Sequence, residues 1–280
     1  MQELAYAKIN LSLDVLRRRA DGYHELSMIM FPLTFHDTLT IEISDEDCYS
    51  CDIPLVFDEK NTIVKAVQLM RNTYQLKEHF RIHCEKVIPM EAGLGGGSAD
   101  AAAVLRAINR LCKLNLSLTE LAELGKKIGA DVPFCVMNQA AYVSGIGEKI
   151  EPFDLVFDYE ILLVKHQRGV STAQAFQSLD FNTAKHYDVR QIVEALKAND
   201  EQKWLSMIGN TLEQSAFKLV EEIKQVKEQM LDDGFDAVLM SGSGSALFGL
   251  TKNKQLISAC MERNHYKDCD CYHTNLLKVE

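Results

Sequence analysis

Between Pro89 and Asn109 the chain reads PMEAGLGGGSADAAAVLRAIN. Gly93, Gly95, Gly96 and Gly97 run into Ser98, and behind them Ala101, Val104, Leu105, Ile108 and Leu111 recur at helical spacing. This stretch constrains the fold more tightly than any other. Its glycines let the backbone reach φ > 0 and admit a close neighbour without a Cβ, and they must deliver the chain into the first turn of a helix. The first N–H groups of that helix have no partner within it. Its dipole places roughly half a positive charge at the same end. Phosphates bind such sites readily. The plainer reading is a tight connection, because a glycine fingerprint alone is weak. The density of glycine, Ser98 and the helix behind them favour a phosphate binder. It is not one of the two familiar kinds. A Walker loop closes on Gly-Lys-Ser/Thr, and no lysine lies between Gly93 and Ala103; the dinucleotide fingerprint needs a glycine where Ser98 stands.

The 280 residues suggest about two domains. A net charge of −10 argues against nucleic acid or an anionic membrane surface as a partner. An anionic substrate then needs a local positive site built from loop amides and a few lysines. No apolar run approaches the roughly 20 residues of a membrane span. Lys8 and Asn10 interrupt any signal-peptide pattern, so the expected compartment is the cytoplasm. The cysteines are dispersed, and in a reducing compartment they are expected as thiols. Cys48 with Cys51, and Cys269 and Cys271 near His265 and His273, do not repeat the paired spacing of a zinc ribbon or finger. No protein motif fixes a metal.

Taken in order, residues 4–16 alternate as a strand through Ala5, Ala7, Ile9, Leu11, Leu13 and Val15. Lys8 and Asn10 share its other face with Tyr6 and Ser12; such a face is either solvated or aimed into a cleft, and the strand alone favours solvated. Asp21-Gly22 is a turn signal, with Tyr23 and His24 beyond it at a pocket rim or a plain hairpin end. Residues 34–43 finish as an alternating strand, and the acidic stretch 44–60 reads as irregular. Asn61 opens a helix through Val64, Val67 and Met70. Phe80, Ile82 and Cys84 form a half-buried strand leading through Lys86 into the glycine loop. Ser117 and Glu120 form a capping box, and that helix is expected to reach about Ile128 with Gly129 as its stop. Asp131 follows, in the stretch GADVPF from Gly129 to Phe134. Pro133 biases Val132 toward extended geometry. A carboxylate there is a helix cap or a catalytic group, and capping is the commoner use. Residues 140–150 give a strand and a Gly145–Glu148 turn.

The second half opens near Tyr159 with a short apolar strand, Ile161 to Val164, followed by a helix start beyond Thr172. Helices are expected at 188–198, 200–209 and 211–232, the last through Phe217, Val220, Ile223, Val226 and Met230. Phe235–Met240 and Ala246–Leu250 read as paired strands around SGSGS, residues 241–245, which is a hairpin connection or a backbone approach to a ligand. A helix over 253–264 and a strand over 269–276 close the chain. Strands interleaved with helices imply an α+β fold.

Three segments in this order, Ala7–Asn10, Gly93–Ser98 and Ser241–Gly244, resemble the GHMP kinase superfamily of galacto-, homoserine, mevalonate and phosphomevalonate kinases. A closer resemblance lies in four segments, Ala7–Leu11, Asp21-Gly22-Tyr23-His24, Gly93–Ala102 and Gly129–Phe134. It is to the branch that phosphorylates a cytidine-diphosphate-linked methylerythritol in the non-mevalonate isoprenoid pathway, and it covers nearly the whole chain. Any one motif is weak, while four in order are specific. The resemblance implies the two-domain GHMP kinase fold. Residues 1–158 would form the ATP-binding domain with a ribosomal-protein-like βαβ unit, and 159–280 a ferredoxin-like domain, with ATP and substrate in the cleft. It implies ATP and Mg²⁺ as cofactors, a small-molecule substrate with a cytidine diphosphate group, and a monomer or homodimer.

The resemblance also assigns residues. Asp131 matches the catalytic base and Lys8 the lysine beside it. A cation about 4 Å from a carboxylate is worth roughly 4 kcal/mol at an effective dielectric of 20. Pro89, Met90, Glu91, Ala92, Gly93, Leu94, Gly95, Gly96, Gly97, Ser98 and Ala99 match the ATP loop. Asn61 and Lys86 match positions near the nucleotide. Ser98 and Asp100 are candidates for phosphate or Mg²⁺ contacts. Tyr23 and Phe176 would flank the cytosine, with His24 bonding its edge. Asn10, Thr172, Gly242 and Gly244 would line the substrate site. The chain departs from the family's pattern at Tyr6, Ala99, Asn138, His166 and Ser245. None of these removes Lys8, Asp131 or the loop glycines. They leave open a GHMP-type kinase of another small alcohol, or a nucleotide-binding relative without activity.

Overall fold

Alternation builds the first strand. In β1 (Gln2–Arg18) Ala5, Ala7, Ile9, Leu11, Leu13 and Val15 share one buried face, as a period of two requires. The opposite face is not solvated as its polarity suggests. Lys8, Asn10, Ser12 and Asp14 are at most 4 % exposed, because each meets hydrogen-bonding groups from distant segments instead of water. At the Asp21-Gly22 turn the Arg19 N–H donates to the Tyr23 carbonyl at 2.8 Å, and Gly22 takes φ +88°. β2 (His24–Ser44) then pairs with β1. It starts well before residue 34 because Leu26 to Leu33 is buried without interruption, which hides the alternation.

The computed structural model describes residues 1–262 and 265–278, and its chain divides into two compact units. One unit comprises Met1–Lys8, Phe35–Met90 and Gly95–Asn138. Within the acidic stretch read as irregular, β3 (Cys48–Cys51) forms a strand too short for periodicity to reveal. Asn61 caps α1 (Thr62–Tyr74), its Oδ1 accepting the Ile63 N–H at 2.9 Å. β4 (His79–Glu85) lies parallel to β3 and antiparallel to the second half of β2, with Leu39 opposite Cys84 and Ile41 opposite Ile82. The glycine loop leads into α2 (Gly96–Leu111), which is buried from Ala99 to Ile108. Five alanines within that run let neighbouring elements approach closely.

Ser117 and Glu120 form the reciprocal capping box of α3 (Leu118–Gly125). That helix ends at Gly125 rather than near Ile128. The Lys127 and Ile128 N–H groups turn to the carbonyls three residues back, which tightens the last turn. α4 (Val132–Met137) corrects a second expectation. Pro133 stands in its first turn, where the missing N–H is of no consequence, so Val132 is helical and not extended. Asp131 holds the N-cap position but makes no side-chain capping bond.

Arg106 of α2 ties these pieces together. Its guanidinium donates to Glu3 Oε1 at 2.7 Å, the Cys135 carbonyl at 2.7 Å and the Leu4 carbonyl at 2.9 Å. The start of β1 and helix α4 are thereby fixed to one side chain.

The other unit comprises Ile9–Thr34, Glu91–Leu94 and Gln139–Glu280. β5 (Ala141–Gly145) pairs with the first half of β2 and forms a hairpin with β6 (Lys149–Pro152). Then follow β7 (Glu160–His166), α5 (Thr172–Gln177), α6 (Val189–Lys197) and α7 (Glu201–Met207). The amphipathic run 211–232 is not one helix. α8 (Glu213–Leu219) and α9 (Glu221–Asp232) meet at Val220, which is extended at φ −141°, ψ 91° and buried. The apolar spacing continues through that break, so periodicity could not mark it. β8 (Ala237–Met240), β9 (Ala246–Thr251), α10 (Lys254–Glu262) and β10 (Cys269–Thr274) complete the unit. The last two residues of the helix expected over 253–264 lie outside the described residues. The strands run antiparallel in the order β10-β7-β9-β8. With helices after the first and third strands, that is the ferredoxin-like arrangement.

Replacing Arg106 by Met should leave the Glu3 carboxylate and two carbonyls buried with lost partners. Glu3 keeps its ion pair with Arg110, so the expected cost is that of the buried acceptors left unsatisfied, about 1–3 kcal/mol, read as a fall in the denaturation midpoint. An unchanged midpoint would show that Arg106 does not hold β1 and α4 together.

Candidate active site

In the first unit the Lys8 ammonium lies 3.5 Å from Asp131 Oδ2. The Lys8 side chain is 5 % exposed and that of Asp131 32 %. β1 delivers the lysine, and the turn before α4 delivers the carboxylate. Gly95 makes room for the pair. It caps α2 at φ +72°, and a Cβ there would lie 3.0 Å from Lys8 Cγ. Gly96 and Gly97 occupy the first turn of α2. A Cβ on Gly96 would come within 3.1 Å of Lys86 Nζ and of Ile88 Cγ2. Ser98 and Ala99 follow on the helix.

Lys86 stands between two buried carboxylates. Its ammonium donates to Asp37 Oδ2 and, at 2.8 Å, to Asp100 Oδ2. Burial alone would lower its pKa, but Asp100 and Asp37 together hold it above the ordinary lysine value. Burial raises the Asp100 carboxyl, Lys86 opposes that, and Asp37 adds to it. Asp100 Oδ1 is buried without a hydrogen-bond partner. Asp37 escaped notice in the sequence, although a signal exists: it falls in register with Leu39 and Ile41 on the inward face of β2. Asn61 is engaged at the start of α1, its Nδ2 donating to the Val56 carbonyl at 2.9 Å.

In the second unit the start of the glycine loop lies along residues 241–246. The Ser245 N–H donates to the Glu91 carbonyl at 3.3 Å and the Ala246 N–H to the Ala92 carbonyl at 3.2 Å. Ser241 Oγ accepts the Asn10 N–H at 3.3 Å and donates to the Gly93 carbonyl at 2.9 Å. Asn210 Nδ2 donates to the Met240 and Gly242 carbonyls. Thr172 Oγ1 and Ser243 Oγ share a hydrogen bond of 2.7 Å. Residues 241–245 are therefore more than a hairpin connection: they bring Asn10, Gly93, Thr172, Gly242 and Gly244 together. Two of the departures from the family's pattern are partners, Ser245 Oγ donating to the His166 carbonyl at 3.2 Å.

The aromatic group is arranged differently from its members' sequence order. His24 stacks on Phe176, with centroids 4.8 Å apart and planes at 27°. Phe181, which the sequence did not single out, lies parallel to His24 at 6.2 Å. Tyr23 is 61 % exposed, and among the described residues its ring stacks on no other. Burial, with the charge of Arg18 adding, lowers the His24 pKa below 6.5. Its neutral ring keeps one donor and one acceptor nitrogen.

The family model described as GHMP kinases N terminal domain matches residues 61–139, and that described as GHMP kinases C terminal matches residues 192–268. The fold and the glycine loop are those of the GHMP kinase class. Over 254 residues the chain is 44 % identical to the 4-diphosphocytidyl-2-C-methyl-D-erythritol kinase of Bacillus cytotoxicus, a match covering 88 % of this chain and 86 % of that protein. It is also 44 % identical over 253 residues to the enzyme of the same name from Bacillus subtilis, covering 89 % and 88 %. A crystal structure of a 4-(cytidine 5'-diphospho)-2C-methyl-D-erythritol kinase superposes with a TM-score of 0.83 at 32 % identity, over 98 % of this chain and 99 % of that one. The chain belongs to the 4-diphosphocytidyl-2-C-methyl-D-erythritol kinase family.

Two expectations follow from this geometry. A Cβ on Gly93, whose φ is +73°, would lie 2.0 Å from the Ser241 carbonyl oxygen. Gly93→Ala should therefore cost at least about 1–3 kcal/mol from backbone strain alone, measured by urea denaturation; wild-type stability would contradict the packing. The second concerns His24. Because its folded pKa is depressed, the unfolded chain takes up the proton first. The stability of the neutral ring is then present above pH 6.5 and lost as pH falls through the folded pKa. An NMR titration of the His24 ring protons should give a midpoint below 6.5, and a midpoint above that value would reject the assignment.

Proposed function

We propose that this chain transfers the terminal phosphoryl group of ATP to the 2-hydroxyl of 4-(cytidine 5'-diphospho)-2-C-methyl-D-erythritol, in the non-mevalonate isoprenoid pathway. Asp131 is the base and Lys8 acts beside it. The observation that carries this reading is the Lys8–Asp131 pair. Asp131 caps no helix with its side chain and is partly open to solvent, so its carboxylate is available to a hydroxyl proton. Lys8 is buried, where its charge is less screened. It orients the carboxylate and offsets the negative charge that develops as the proton leaves.

The glycine loop fits a triphosphate. Gly93 and Gly95 have positive φ, α2 begins immediately after, and positions 95–97 carry no side chain between the backbone and an incoming anion. Residues Pro89 to Ala99 form the nucleotide loop in this reading, with Asn61 and Lys86 bordering it and the Ser98 hydroxyl at the helix start. ATP supplies the phosphoryl group, and the Mg²⁺ that accompanies it neutralises charge on the phosphates. Among the described residues no group of three or more His, Cys, Asp or Glu side chains is disposed to hold a metal ion. On the substrate side, His24, Phe176 and Tyr23 serve the cytosine, where stacking on an aromatic contributes about 1–3 kcal/mol per base. Asn10, Thr172, Gly242 and Gly244 serve the remainder. No described helix is long and apolar enough to cross a membrane.

The test is ADP release dependent on the cytidine diphosphate substrate. Asp131→Asn should lower kcat by about 10²–10⁴-fold while the thermal transition stays in place. Full activity in that variant would remove Asp131 from the chemistry.

A further inference from the structure

Asp37 enters the first unit from β2, on the face that carries Leu39 and Ile41 into the core, and is fully buried. An isolated carboxylate there would be strongly disfavoured. One short segment of chain satisfies it. Oδ1 accepts the Val87 N–H at 2.6 Å and the Ile88 N–H at 2.7 Å, and Oδ2 takes the Lys86 ammonium. The same ammonium reaches Asp100 in the first turns of α2. On its other side the segment lies against the helix start, with Lys86 Nζ and Ile88 Cγ2 both 3.1 Å from where a Gly96 Cβ would stand. Asp37 thus grips Lys86, Val87 and Ile88 from one side, and Gly96 rests on them from the other.

We infer that Asp37 is a positioning residue for the phosphate loop, acting through Lys86 and Ile88 to set the Gly95–Ser98 backbone without touching the nucleotide. The inference rests on reading that loop as the triphosphate cradle. It also changes the role of Lys86. Moving its ammonium onto a phosphate would strand two buried carboxylates without a counter-charge, the arrangement that buried ion pairs tolerate least. Lys86 is a staple beneath the loop and not a phosphate ligand.

A double-mutant cycle tests this. The dissociation constants of ATP and ADP are measured by calorimetry for the wild type, Asp37→Asn, Lys86→Gln and the double variant. Amide hydrogen exchange across Gly95–Ser98 is followed in the ligand-free proteins. Asp37→Asn should weaken ATP and ADP by the same factor, at least about tenfold, as loss of an outer supporting contact does. It should speed exchange in the loop and leave KM for the alcohol substrate unchanged. The double variant should be no weaker than the weaker single, because the two residues act as one unit. Unchanged nucleotide affinity and loop exchange in Asp37→Asn would overturn the inference, as would single effects that multiply in the double variant. If Asp37→Asn does not fold, Lys86→Gln decides. Equal weakening of ATP and ADP supports the staple. No weakening, or a loss confined to ATP, overturns it. A wild type that binds no ATP refutes the reading of the loop instead, and the exchange measurement still tests Asp37 separately.

Discussion

The polar stripe on β1 governs much of what surrounds it. Lys8, Asn10, Ser12 and Asp14 are all buried, and a buried donor or acceptor without a partner costs about 1–3 kcal/mol, more if charged. Each of these side chains therefore demands a complement, and none can come from the strand itself. In the first unit Lys8 takes Asp131. In the second, Asn10 takes Ser241 through its backbone and Met28 through its amide. Ser12 Oγ donates to the Gly209 carbonyl at 3.0 Å. Asp14 Oδ1 accepts the Thr211 hydroxyl at 2.8 Å and lies 2.8 Å from His186 Nδ1. One strand with a conventional apolar face thereby recruits segments from positions 131, 186, 209, 211 and 241. The Lys8–Asp131 pair is one instance of a demand that runs the length of the strand.

Glycine meets a second constraint, the close approach of backbone to backbone. In the second unit Glu91 to Gly93 runs beside Ser241 to Ala246 with no space for side chains between them. Here the departure at Ser245 becomes intelligible. The resemblance implies a frequent proline there, which has no N–H to give, whereas the Ser245 N–H donates to the Glu91 carbonyl and its hydroxyl to the His166 main-chain carbonyl.

What could be read in advance follows from what local sequence encodes. Caps and short-range periodicity were legible: Asn61 and Ser117 start helices where their side chains suggest, and Phe80, Ile82 and Cys84 alternate into the core. The motifs carried the family, and with it the two-domain fold. Periodicity states which residues share a face, but not whether that face finds a partner. That is why the stripe of Lys8 and Asn10 read as solvated. The same gap hid Phe181, whose relation to His24 depends on chain more than 150 residues away. Asp131 shows the limit in a single residue. A carboxylate before a short helix serves equally well as a cap or as a base, and neither the missing capping bond nor the ammonium at 3.5 Å can be read from the local sequence.

The buried charges also explain how a chain of net charge −10 can serve a polyanion. Lys86, against the helix start at Gly96, is matched by two carboxylates, and Lys8, against Gly95, by Asp131, so neither brings surplus positive charge when its partners are ionised. In the proposed reading, attraction for a triphosphate then comes from the N–H groups at the start of α2 and from its dipole, which act within about the first turn. At longer range the chain repels anions. Binding of this kind depends on where the oxygens sit rather than on how many charges they carry. A patch of exposed lysines would accept any polyanion, whereas amides fixed at Gly95–Ser98 accept one shaped to them. That places a premium on the rigidity of the loop, and a fully buried carboxylate gripping three consecutive residues beneath it is a physical means of securing that rigidity.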